Sequence, residues 1–190
     1  MDLEKIKHAK TKRIGKEVQI FETIPSTHQY AKQKAEELAD GTVLLAEEQT
    51  AGIGTQNRKW YTQKGLNLAM TILLKPKIDV KKLEGFTLEL AQAMKEVLWE
   101  QGKIEVSIKL PNDLMLNGKK VAGILTESSC RSGIVQNLWI SIGMNINQME
   151  FEEEIKEIAT SLRKETKKEY DREDFIIPWI EKVEKLIEKR

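Results

Sequence analysis

Residues 49–65 read QTAGIGTQNRKWYTQKG, with Gly52 and Gly54 ahead of the adjacent cations Arg58 and Lys59 and the aromatic pair Trp60 and Tyr61. Glycines let backbone N–H groups turn toward an anion, the cations add charge, and an indole offers a flat face to a base. The same composition suits an ordinary surface turn with two solvated cations, because short glycine motifs are weak by themselves. Three further stretches shift the balance. KLPND at 109–113 sets Lys109, Asn112 and Asp113 at a strand end. A lysine there neutralises a phosphate or a carboxylate, and an aspartate holds a divalent metal or orients a lysine. KKVAGIL at 119–125 supplies Lys120, and its Gly123 interrupts a β-branched strand, which marks close approach by a ligand or another backbone. SIGMNIN at 141–147 ends an apolar strand with Asn145 and Asn147 on one side, where amides read a base edge or a ureido group.

The elements that must position these residues follow from periodicity. The charged first dozen residues form a short helix leading to a strand at Val18 to Glu22. Ser26 to Leu38 opens on N-cap types and continues in strong helix formers, which predicts a capped helix. Gly41 begins a buried aliphatic strand, and residues 49–65 follow it as a loop. Asn67 to Lys75 reads as a strand, and Val80 to Gln101 as one long amphipathic helix packed on the sheet. Four strands follow at Glu105 to Lys109, Asp113 to Leu116, Lys120 to Ser128 and Ile134 to Met144, with Asn117-Gly118 as a hairpin turn. Asp171 to Lys189 is helical, with Pro178 in its first two turns. Helices interspersed among mostly antiparallel strands define an α/β or α+β sheet domain.

Composition bounds the function. The 190 residues suit a single domain, and 31 basic against 30 acidic residues give a net charge of +1, so anion binding has to be local. One cysteine, Cys130, excludes an internal disulfide and a cysteine-based zinc cluster, and two histidines are too few for a metal cluster. Cys130 has only Arg131 near it in sequence to lower its pKa and reads as a strand-end residue. Trp99, Trp139 and Trp179 read as core or interface residues, and the charge runs at 152–154 and 164–168 as solvated faces. No apolar run suits a membrane span or a signal peptide, so a cytoplasmic protein is expected.

Taken in order, Ser-Thr-x-Gln, Gln-Thr-x-Gly-x-Gly-x-x-x-Arg-Lys-Trp, Lys-x-Pro-Asn-Asp, Lys-x-Ala-Gly-Ile-Leu and Gly-x-Asn-x-Asn resemble the biotin protein ligases, from about Val18 to Asn147. The resemblance implies a catalytic domain with a central mixed, largely antiparallel sheet flanked by helices, which makes biotinyl-5′-AMP from biotin and MgATP. It then passes biotin to a lysine of a biotin carboxyl carrier domain. On that resemblance Ser26, Thr27, His28 and Gln49 frame the biotin ring, with Gly52, Gly54, Thr55, Gly123 and Ile124 around it. Lys120 meets the reacting carboxylate and α-phosphate, Lys109 and Arg58 the phosphates, and Trp60 and Asn145 the adenine. Asn112 lies near the adenylate, Asp113 near the metal, and the 52–60 loop folds over the intermediate.

The chain also departs from the family pattern. Ile53 and Thr55 stand where the family loop has arginines, Leu110 where it has tryptophan, and Ser141 where it has glycine. Weaker retention of the acyl-adenylate is therefore expected. A lipoate or octanoyl ligase-transferase and a non-catalytic biotin or nucleotide binder are the alternatives. The few residues before Val18 are too short for the DNA-binding helix-turn-helix of some members, so no DNA partner is expected. The sequence stops at Arg190, where an SH3-like module begins in most members, so that module is expected to be missing. A homodimer through a sheet edge is compatible with the resemblance.

Overall fold

The structure, a computed structural model, describes residues 1–55 and 58–190. A seven-stranded mixed sheet runs in the order β1-β2-β5-β9-β8-β7-β6. Its strands are β1 (Val18–Phe21), β2 (Val43–Ala46), β5 (Asn67–Leu74), β6 (Ser107–Lys109), β7 (Asp113–Leu116), β8 (Lys119–Arg131) and β9 (Ile134–Asn145). β1 pairs parallel to β2, and every other neighbour is antiparallel. The expected mixed, largely antiparallel sheet is thus present. The 49–65 stretch is more than a loop, because β3 (Gly52–Ile53) and β4 (Lys59–Trp60) pair as a small separate ribbon. Residues 56 and 57, within the loop expected to cover the intermediate, lie outside the described residues.

Side chains alternate across the sheet and divide its two faces. Leu68, Met70, Ile72, Ile140 and Ile142 enter the main core with Phe86, Leu90, Phe175 and Trp179 from α3 (Phe86–Gly102) and α5 (Glu173–Glu188). The opposite face carries Leu44, Leu73 and Trp139 against Ala31 and Ala35, where α2 (Thr27–Gln33) packs. On that second face the register sets Thr71 beside Ser141, Ala69 beside Gly143, and Gly143 beside Gly123. Small residues lower the sheet surface there and leave a basin at the N-terminal end of α2.

Some expected boundaries move. The single helix over Val80 to Gln101 is two elements, a 3-10 turn at Val80–Leu83 and then α3. Gly85 separates them at φ 72°, a left-handed conformation that glycine adopts without strain. α2 stops at Gln33, five residues before the expected Leu38. Trp139 and Trp179 are buried as expected, and their indole N–H groups donate to Ala31 O and Leu90 O. Trp99 is not core: it is 52 % exposed with Lys103 Nζ 5.2 Å over its ring.

Candidate active site

The inner part of the site is assembled from four elements. Ser26 caps α2, its Oγ accepting from Gln29 N, and this fixes Thr27 and His28 in the first turn facing the sheet. Thr27 donates to Gln49 Oε1 from both its backbone N (2.8 Å) and its Oγ1 (2.9 Å). Thr27 Oγ1 also meets Thr71 Oγ1 at 2.9 Å, and Thr71 meets Ser141 Oγ at 2.8 Å. Ser26, Thr27, His28, Gln49 and Ser141 line a pocket of about 440 Å³, space open to solvent included, with Ile53, Gly54, Thr55 and Trp60 on the ribbon side and Thr71 behind it. An adjoining outer pocket is larger, about 1530 Å³, and more open. A narrow inner recess beside a wider, open one has the outline of a small ring joined to a larger group.

Lys120 stands at the passage between them, lining both pockets. Its backbone is pinned by Lys120 N donating to Ile158 O and Thr160 N donating to Lys120 O. Its Nζ lies 2.7 Å from Asp113 Oδ1 and 5.5 Å from the centre of the Trp60 ring. Trp60 lies over the two facing glycines. A Cβ at Gly143 would fall inside the indole, and one at Gly123 would stand 3.1 Å from Lys120 Nζ and 3.4 Å from Trp60 Cζ3. Gly143 is therefore required by close approach, whereas a Cβ at Gly123 would need the flexible end of Lys120 to give by a few tenths of an ångström. Trp60 Nε1 is buried without a hydrogen-bond partner among the described residues.

The expected site residues fall together with a few displacements. Ser26, Thr27, His28, Gln49, Gly54, Thr55, Lys120, Gly123 and Ile124 all line the inner pocket. Gly52 does not. It sits behind, where a Cβ would come within 2.6 Å of Trp60 O and 2.9 Å of Gln49 Nε2, so it lets the ribbon close on Gln49. Arg58, Trp60, Lys109, Asp113 and Asn145 line the outer pocket. Asn112 belongs to the inner one instead, and its amide donates to Ile124 O, tying the 109–113 turn to β8. Asn145 donates to Thr160 O and Asn147 to Tyr170 O, so Asn147 serves the fold rather than the site. Arg58 is exposed and, among the described residues, its guanidinium reaches only Thr55, in its own turn, at 3.4 Å.

Several residues that build the site went unread in the sequence. Thr71 looks like one more β-branched core residue of an apolar strand, and its polar use emerges only from the register opposite Ser141. Phe151, Ile155 and Ile158 wall the outer pocket within a stretch whose acidic composition suggested a solvated face. Glu154 there accepts from Tyr61 OH at 2.7 Å, bracing that wall against the ribbon. Among the described residues no group of three or more His, Cys, Asp or Glu could hold a metal ion. No helix among them is long and apolar enough to cross a membrane.

A mixed sheet, a polar basin and a lysine lining two adjoining pockets make a candidate small-molecule site. Residues 20–146 match the biotin/lipoate A/B protein ligase family, and the chain belongs to that family. It is 37 % identical over 170 residues to the bifunctional ligase/repressor BirA of Bacillus subtilis, which covers 88 % of this chain and 52 % of that protein. The biotin--[acetyl-CoA-carboxylase] ligase of Paracoccus denitrificans is 37 % identical over 123 residues, 64 % of this chain and 51 % of that one. The chain thus spans about half the length of these curated relatives. The biotin protein ligase from Aquifex aeolicus in complex with biotin and ATP superposes with a TM-score of 0.79 at 34 % identity, over 92 % of this chain and 71 % of that one.

Proposed function

We propose that this chain is the catalytic unit of an ATP-dependent biotin–protein ligase, and the observation that carries the reading is Lys120 Nζ at the passage between the two pockets. Biotin occupies the inner pocket with its carboxylate toward Lys120, and ATP occupies the outer one. A carboxylate oxygen attacks the α-phosphorus, the P–O bond to pyrophosphate breaks, and biotinyl-5′-AMP forms. Negative charge concentrates between the two oxyanions, where a fixed cation lowers the barrier without reorganising. A carrier lysine amine then attacks the acyl carbon, the C–O bond to AMP breaks, and the amine gives up its proton as the amide forms. No side chain of this protein acts as a nucleophile.

Lys109 and Arg58 at the rim meet the phosphates, and Trp60 and Asn145 flank the base. Asp113 supplies a single carboxylate at the outer pocket, of the kind Mg²⁺ accepts alongside nucleotide phosphates and water. A metal ion held there would supply positive charge against the phosphates, and Asp113 orients Lys120. Ile53 and Thr55 line the inner pocket without charge, so the intermediate is held by fewer charge-assisted contacts.

The test incubates the protein with labelled biotin, ATP, Mg²⁺ and a biotin carboxyl carrier domain, and follows biotinyl-AMP and carrier labelling separately. Both products are expected. Biotin binding with neither product makes the chain a binder, and turnover with lipoate or octanoate alone makes it a lipoyl-type enzyme.

A further inference from the structure

The inner pocket holds a titratable side chain that none of these steps uses. His28 is 2 % exposed, with Nδ1 2.8 Å from Ser141 Oγ and Nε2 3.4 Å from Glu127 Oε2. From Ser141 the contacts run on through Thr71 and Thr27 to Gln49 Oε1, four in series. Their polarity follows from counting protons. Gln49 Oε1 can only accept, and the Thr27 backbone N–H holds it in place, because a flipped amide would set NH₂ against N–H. Three hydroxyls supply three protons for four contacts. The fourth proton must come from His28 Nδ1–H, after which every hydroxyl donates toward Gln49.

That direction leaves neutral His28 with its Nε2 lone pair turned to the Glu127 carboxylate, and Nε2 has no hydrogen-bond partner among the described residues. The other neutral tautomer points Nε2–H at Glu127 and leaves the series one proton short. The imidazolium satisfies both ends. The charged groups at the ring are Glu127 of β8 and Lys32, one turn along α2, which pair with each other. β5 and β9 present no titratable side chain. Burial lowers the His28 pKa below the ordinary histidine value, Glu127 opposes this, and Lys32 adds to it.

We propose that His28 is a proton-linked positioning residue: its proton sets the donor direction of the Ser141–Thr71–Thr27 series, and affinity for a ureido ring weakens as that proton is lost. In this direction each hydroxyl keeps a lone pair to offer and Gln49 presents only its amide N–H groups. The pattern complements a ureido group, which has two N–H donors and one carbonyl acceptor. Binding disfavours the tautomer that breaks the series, so by reciprocity the ligand raises the His28 pKa. The ligand half of this inference rests on the biotin reading above.

The experiment titrates the His28 ring by NMR with and without biotin, with His8 as internal control, and measures biotin affinity by calorimetry from about pH 5 to pH 8. Biotin is expected to raise the His28 pKa, and affinity to fall about fivefold across the titration. Glu127→Gln, which offers Nε2 either a donor or an acceptor, should flatten that dependence. In ligand-free Ser141→Ala the His28 pKa should fall, because the imidazolium loses an acceptor. A rise there means Ser141 donates to Nδ1 and overturns the proposal whatever the ligand. A His28 pKa unmoved by bound biotin, or a full slope retained in Glu127→Gln, overturns it as well. Absence of biotin binding at every pH defeats the biotin reading and the affinity claim, while the Ser141→Ala titration still decides the direction of the series.

Discussion

The inner and outer pockets are held together differently. In the inner one Thr27, Thr71, Ser141 and Gln49 bond to one another across α2, β5, β9 and the segment after β2, so the pocket is built before any ligand arrives. In the outer one the cations find little to hold. Among the described residues Arg58 reaches only Thr55 in its own turn, Lys59 lies 4.2 Å over the Tyr61 ring, and Lys109 is exposed. Shape and hydrogen-bond pattern are thus fixed where a neutral ring is read, while the rim charges are left for a polyanion to gather. Lys120 belongs to both regimes, with a backbone pinned to the 158–160 segment and an ammonium free to exchange Asp113 for a ligand oxyanion. Inner-pocket substitutions should therefore be costly and insensitive to salt, and rim substitutions mild and screened.

The sharpest break comes at the passage. Lys120→Gln keeps most of the side-chain length but removes the cation, and loss of one such preorganised group lowers rates by about 10²–10³. Single-turnover formation of biotinyl-AMP should fall by that factor while biotin affinity without ATP changes little. A parallel loss of biotin affinity would place Lys120 in the inner pocket alone. Next in size is Gln49→Ala, which strands both donors of Thr27 in a buried setting. An unsatisfied buried group costs about 1–3 kcal/mol, so calorimetry should record biotin binding weakened by roughly one to two decades, equally at low and high salt.

The two regions also differ in how far the sequence reveals them. Gln49, Lys109, Asp113 and Lys120 are polar residues at strand ends and turns, where chemistry stands out against the apolar pattern. Thr71 and Ser141 are hidden because a threonine or serine within an apolar strand fits a packing role equally well. Only pairing brings them opposite each other and opposite Thr27. The break at Gly85 is hidden for a related reason. Apolar spacing continues across it, and a left-handed glycine is a matter of backbone conformation that periodicity does not register. The outer wall at 151–158 misleads by composition, since Phe151, Ile155 and Ile158 line the pocket beside Glu154 and Glu157 while Glu152, Glu153 and Lys156 stay exposed.

Ile53→Arg tests whether charge can be moved from the rim regime into the built one. A charge-assisted hydrogen bond contributes about 1.5–3 kcal/mol, so dissociation of biotinyl-AMP, followed by quench-flow or filter retention, should slow by roughly tenfold or more. Unchanged dissociation would mean that the uncharged ribbon is not what limits retention.

The smallest effect is expected at Arg58, where the comparison is most exposed to failure. Its guanidinium is solvated, and its contacts to Thr55 are long. Exposed ion pairs contribute about 0.2–1 kcal/mol, so Arg58→Ala should raise the KM for ATP by no more than about fivefold. That difference should shrink as ionic strength increases, because the Debye length falls from about 10 Å at 0.1 M salt to 3 Å at 1 M. A loss of a hundredfold or more, unmoved by salt, would mean that the ribbon closes and buries Arg58 against the phosphates. The outer pocket would then be as built as the inner one once nucleotide is bound, and the contrast between them would describe the ligand-free state alone.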